Sequence, residues 1–198
     1  MTKSRSTFAA ALIAVLAYAP VSQAIQIQED TLEVNGHLDL AFINAYGPNL
    51  NADIGMGYYI LNGVMLGGRL ELAAMRDYTM FAVFATIEQN IDIAENTPFI
   101  PYFGADLGGA IVSLEEYGWG QGGQYTYPDV NKQNENSGTR AAFVGVFRVG
   151  FKFVLTDNAS IDTSLSFALA SDRIYARREN DPVSGNVTLR MGLRYCLW

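Results

Sequence analysis

The chain has 198 residues, a formal net charge of −7, one cysteine and one histidine. Its acidity argues against nucleic-acid binding, which calls for basic stripes, and a lone cysteine excludes an internal disulfide framework. After the opening stretch the longest uninterrupted apolar run is about Ala141 to Phe147, far too short for a membrane-spanning helix.

The first predicted element is an export signal. Lys3 and Arg5 precede an apolar stretch from Phe8 to Ala19, and Ser22-Gln23-Ala24 supplies the small-x-small pattern of a cleavage site. The expected organisation is a signal peptide over 1–24 and one barrel domain over 25–198. Removing Lys3 and Arg5 takes the formal charge from −7 to −9. With no cysteine at the junction, a lipid anchor is not expected.

Beyond the signal, two-residue alternation replaces any helical period. Strands are predicted at 32–43, 50–60, 64–74, 79–91, 99–113, 139–154, 159–170 and 185–198. In the second, Leu50, Ala52, Ile54, Met56 and Tyr58 alternate with Asn51, Asp53, Gly55, Gly57 and Tyr59. The third sets Leu66, Leu70 and Leu72 against Arg69 and Glu71; the seventh sets Ile161, Leu165 and Phe167 against Asp162, Ser164 and Ser166. Each segment is about ten residues or longer, enough to cross a bilayer as a tilted strand and longer than the usual strand of a soluble sheet.

The connections sharpen this. Asn62-Gly63 and Asp157-Asn158 mark tight hairpins at one end. The two longest connections, Leu114 to Gly138 and Ser171 to Ser184, both fall at the other end, the asymmetry of a membrane barrel with short periplasmic turns and longer outside loops. The expected fold class is all-β, an eight-stranded antiparallel up-and-down transmembrane β-barrel.

The order GYYILNGVMLGGRLEL, FIPYFGADLGGAI, GFKFVLTDNASIDTSLSF and a closing GLRYCLW resembles the small eight-stranded bacterial outer-membrane β-barrel proteins, the group that includes OmpA-type and OmpW-type barrels. The resemblance implies a Gram-negative outer-membrane location, insertion by the barrel-assembly machinery, and outer-membrane lipid and lipopolysaccharide as surroundings. A monomer is expected, with no nucleic-acid partner.

A soluble exported barrel would show the same alternation with its faces inverted, so the minor face decides. It carries Gly55, Gly57, Gly67, Gly104, Gly108, Ser164, Ser166 and Gly192, small enough for a crowded lumen. Its charges match in number: Asp39, Asp53, Glu71, Glu88, Asp106 and Asp162 against Arg69, Arg140, Arg148, Lys152, Arg190 and Arg194. Pairing inside a lumen explains such a match, because unpaired buried charge is heavily penalised. On the apolar face Tyr58, Phe103, Phe151 and Tyr195 are predicted near one membrane boundary and Phe42, Phe81 and Phe143 near the other, as interfacial girdles require.

Chemistry is sparse. His37 shares its face with Asp39, but no G-x-S-x-G elbow accompanies the pair, and a hydrogen-bonded wall residue is expected rather than a general base. No ligand cluster suggests a metal, no cofactor is expected, and Cys196 reads as a small wall residue. The best contact candidate is the loop 114–138, where Tyr117, Trp119, Tyr125 and Tyr127 stand among mobile glycines. Tyr195 and Trp198 form the candidate C-terminal assembly signal, although Trp198 falls one residue out of phase with the lipid-facing set. The expected function is a structural or surface-interaction barrel with a side-chain-filled lumen and no enzymatic activity. A small-solute or hydrophobic-compound channel is the alternative, and a lipid-modifying enzyme the least favoured.

Overall fold

The computed structural model describes residues 29–41, 50–75, 78–91, 97–114, 138–175 and 184–197. They form β1 (Leu32–Ala41), β2 (Leu50–Leu61), β3 (Val64–Met75), β4 (Tyr78–Asn90), β5 (Phe99–Leu114), β6 (Gly138–Val154), β7 (Ala159–Ala170) and β8 (Gly185–Leu197). Each strand pairs antiparallel with its sequence neighbour, and β8 returns to β1 to close the barrel. Closure removes both sheet edges, which hydrocarbon would leave without hydrogen-bond partners.

Register follows the tight turns. Gly63 adopts φ +79°, which an L side chain rarely tolerates, and lets β2 reverse into β3 across Leu61 and Val64, with an irregularity between Tyr59 and Leu61. Beyond it Asp53 stands opposite Glu71 and Gly57 opposite Gly67. At the seam Leu32 pairs with Leu197 and His37 with Gly192. The first and last strands therefore meet at one end, here called the base, together with the β2–β3, β4–β5 and β6–β7 turns. The remaining connections lie at the opposite rim.

Burial alternates strictly and is inverted relative to a soluble protein. On β8, Leu193 is 64% exposed and Tyr195 51%, while Arg190 and Arg194 are each 2% exposed. The outward set repeats around the barrel in Ile54, Leu72, Phe81, Leu107, Phe147 and Phe167. An apolar surface of this extent is unstable in water and at home in lipid. Tyr58, Phe99, Phe103, Phe151 and Tyr195 are exposed toward the base, and Phe81 and Phe143 toward the rim. Phe42 lies outside the described residues.

Inside, crowding selects the glycines. A Cβ on Gly192 would collide with the His37 ring and the Gly36 carbonyl, and one on Gly55 would sit 2.5 Å from the Asn35 side-chain oxygen. The lumen is filled in three storeys. Ile100, Val154 and Cys196 form a small apolar seal at the base. A charged middle follows, and above it an apolar storey built from Ala73, Met80, Phe84, Val112, Val144 and their neighbours.

Candidate functional site

The charged storey is built from inward positions of all eight strands. Near the base, Arg194 of β8 reaches three carboxylates: Glu33 of β1 at 2.6 Å, Glu88 of β4 through two contacts of 3.0 Å, and Asp162 of β7 at 2.6 Å. A planar guanidinium with five donors suits such a junction. Lys152 of β6 completes this tier, donating to Glu33 at 3.0 Å and to the Tyr59 hydroxyl at 2.8 Å, with Glu88 2.7 Å away. Tyr59 donates to Glu33 at 2.8 Å, and Tyr102 to Asp162 at 2.7 Å. The Tyr102 ring also lies under the Arg194 guanidinium at 4.8 Å.

A second tier stands toward the rim. Asp106 of β5 accepts from Arg69 of β3 at 2.8 Å, Arg148 of β6 at 2.9 Å and Thr86 at 2.9 Å. Arg69 donates onward to Glu71 at 2.6 Å and stacks on Phe84 at 4.4 Å. Asp53 of β2 pairs with Arg190 of β8 and lies 3.6 Å from Arg69. His37 joins the tiers, Nδ1 to Asp53 at 2.9 Å and Nε2 to Asp162 at 2.7 Å. Neutral imidazole donates from one nitrogen only, so which of the two carboxylates receives the N–H depends on the tautomer.

The sequence-derived network thus divides as follows. Asp53, Arg69, Glu71, Glu88, Asp106, Arg148, Lys152, Asp162, Arg190 and Arg194 meet in one connected cluster. The backbone of Asp39 pairs with Asn51 and Arg190, and its side chain lies outside those described. Arg140 shares the inward face but stands at the rim, donating to the Arg173 carbonyl at 3.2 Å, with the Asp172 carboxylate 4.0 Å away. His37 engages Asp53 and Asp162, from other strands. Tyr117, Trp119, Tyr125, Tyr127 and Trp198 lie outside the described residues.

Sequence reasoning missed Glu33, although its parity with His37 placed it on the inner face. It also missed that the rim half of the lumen is apolar and closed by the chain itself. Ile174 and Tyr175, just after β7, are 0% and 7% exposed and pack into that storey. Beneath them remains a cavity of about 20 Å³, touched by Tyr175, Glu71, Arg69 and Ser166 among others. Burial first, and the Glu71 carboxylate second, push the Tyr175 phenol above its ordinary range and keep it neutral.

No protein-family profile matches the chain, and no curated protein does. Solved structures do match in shape. The N-terminal β-barrel domain of Pseudomonas aeruginosa OprF superposes with a TM-score of 0.53 at 14% identity, covering 85% of this chain and 98% of that domain. Neisserial surface protein A gives 0.54 at 16% identity, covering 83% and 95%. The fold is that of the small outer-membrane β-barrels. A de novo designed transmembrane β-barrel matches this barrel almost as well, with a TM-score of 0.52 at 9% identity and coverage of 87% and 99%. That a designed chain shares the shape makes clear that the likeness carries architecture, while the role of this barrel rests on its own side chains.

Proposed function

We propose that this protein is a structural or surface-interaction barrel of the outer membrane, neither a pore nor an enzyme. The ion-pair network across the mid-lumen carries this reading: it spans all eight strands and leaves a cavity of about 20 Å³, room for one water. An eight-stranded barrel is only just wide enough for its own side chains, so solutes meet a wall of paired charge. The rim is then the working surface. The loop 114–138, with Tyr117, Trp119, Tyr125 and Tyr127, is its candidate contact element toward lipopolysaccharide or an external partner. The protein acts as a monomer in outer-membrane lipid, takes no cofactor, and Tyr195 with Trp198 serves the insertion machinery as assembly signal.

Planar-bilayer recording tests the plugged lumen. The expected trace shows no steady, unitary conductance; well-defined channels abolished by deleting loop 114–138 would overturn the reading. For catalysis, His37→Ala should leave the lipid A profile of expressing cells unchanged, and a changed profile would assign His37 a chemical role.

A further inference from the structure

We propose that the rim half of the lumen is a ligand-binding vestibule for small neutral single-ring compounds of the phenol type, occupied in this state by the chain's own Ile174 and Tyr175. The inference goes beyond the surface role above, because the vestibule is blind: its floor is the charged storey, so a bound compound is held rather than passed.

Three observations carry it. First, the wall is shaped for an insert. Ala110, Val144 and Val146 line the storey with short apolar side chains, and an eight-stranded barrel with short wall residues has space that something must fill. Second, what fills it is not wall. Ile174 and Tyr175 come from the connection after β7 and enter from the rim, yet are buried as deeply as the strands' own residues. Third, the floor matches the insert chemically. Arg69, Glu71 and Ser166 border the small cavity beside Tyr175, so an aromatic ring with one polar group at its deep end finds apolar sides and a polar base. That pattern of apolar walls with a few convergent polar groups is the usual form of a small-molecule site.

The segment that carries the insert is tied to the rim through Ser171 and Arg173, and Tyr175 itself sits in an isolated β-bridge. Ser171 N–H donates to the Phe143 carbonyl at 2.8 Å, Phe143 N–H donates to the Ser171 hydroxyl at 2.9 Å, and Arg140 donates to the Arg173 carbonyl. A ligand competes with Tyr175 for the same space, and its apparent affinity falls by the fraction of molecules with the vestibule open.

The test uses the full-length protein refolded in detergent, with p-cresol as probe, toluene as comparator, and empty micelles as the partition blank. Tyr175→Gly should bind p-cresol saturably at one equivalent, about tenfold or more tightly than the parent protein, and prefer it to toluene. A folded Tyr175→Gly that takes up p-cresol no better than the parent or the blank overturns the proposal. Equal uptake of toluene overturns the polar floor. Should Tyr175→Gly not fold, the parent protein labelled with 3-fluorotyrosine decides. Saturating p-cresol should move the Tyr175 fluorine signal to the solvent-exposed position, and an unmoved signal refutes competition. Conductance is a separate measurement, so failure of the vestibule and failure of the plugged lumen are told apart.

Discussion

Arg194 shows how much of this barrel hangs on single side chains. Its guanidinium touches Glu33, Glu88 and Asp162, all buried. Arg194→Met keeps length and removes charge, leaving Glu33 and Glu88 with Lys152 as their cation and Asp162 with only the His37 ring and the Tyr102 hydroxyl. Removing one partner of a buried ion pair costs about 3–5 kcal/mol, and urea unfolding in lipid vesicles should register a loss of at least that order. The glycines divide by what lies across from them. Gly192→Ala drives a methyl into His37 and a backbone carbonyl, and overpacking of this kind costs about 1–3 kcal/mol. Gly145→Ala, on the lipid face, meets only Leu107 at an ordinary 3.6 Å and should leave the unfolding midpoint near that of the parent. At this scale parity made most of the wall legible: knowing that Arg190 and Arg194 share a face is enough to send both inward. Which acid meets which base was not legible, since His37 finds Asp162 across a separation of 125 residues that no local pattern encodes.

The strands themselves were the most legible level. The seventh, 159–170, coincides with β7 to the residue, and the others agree to within one residue at every described end. Alternation is strong wherever one face is charged and the other apolar, as on β8. It fades where both faces are apolar, and there the reading lost information: the run Ala141 to Phe147 marks the apolar rim storey, with Ala142, Val144 and Val146 inward and Phe143 and Phe147 outward. Ile174 and Tyr175 follow a strand with no period of their own, so nothing in the sequence sends them into the lumen. Depth along a strand is testable by charge. Phe147→Arg, halfway along β6 on the outer face, should cost about 2–4 kcal/mol, and Thr139→Arg near the rim about 0–1. Vesicle refolding titrations of the two variants check the gradient, and equal penalties would place β6 across the membrane differently.

For the molecule as a whole, the inverted surface sets the conditions under which it can exist. The refolded protein should run as a compact, heat-modifiable band when lipid or detergent is present and collapse into aggregates without either. A stable soluble monomer in plain buffer would contradict the apolar belt. Deleting Trp198 alone should slow or reduce assembly while leaving already folded barrel unchanged in stability, a split that pulse-chase insertion against equilibrium unfolding reads out. Undiminished insertion would show Tyr195 sufficient.

The junction at Arg194 also bears on how such a barrel is made. Glu33 and Arg194 are 161 residues apart, on the two strands that meet at the seam. A chain that has threaded its first seven strands holds Glu33, Glu88 and Asp162 without the cation that neutralises them together, and only the eighth strand delivers it. An unfinished barrel is therefore self-reporting: its half-made interior is electrically wrong until the last hairpin arrives. Until then Lys152 alone serves Glu33 and Glu88, and Asp162 lacks its guanidinium, so the closing strand brings charge balance as well as backbone pairing.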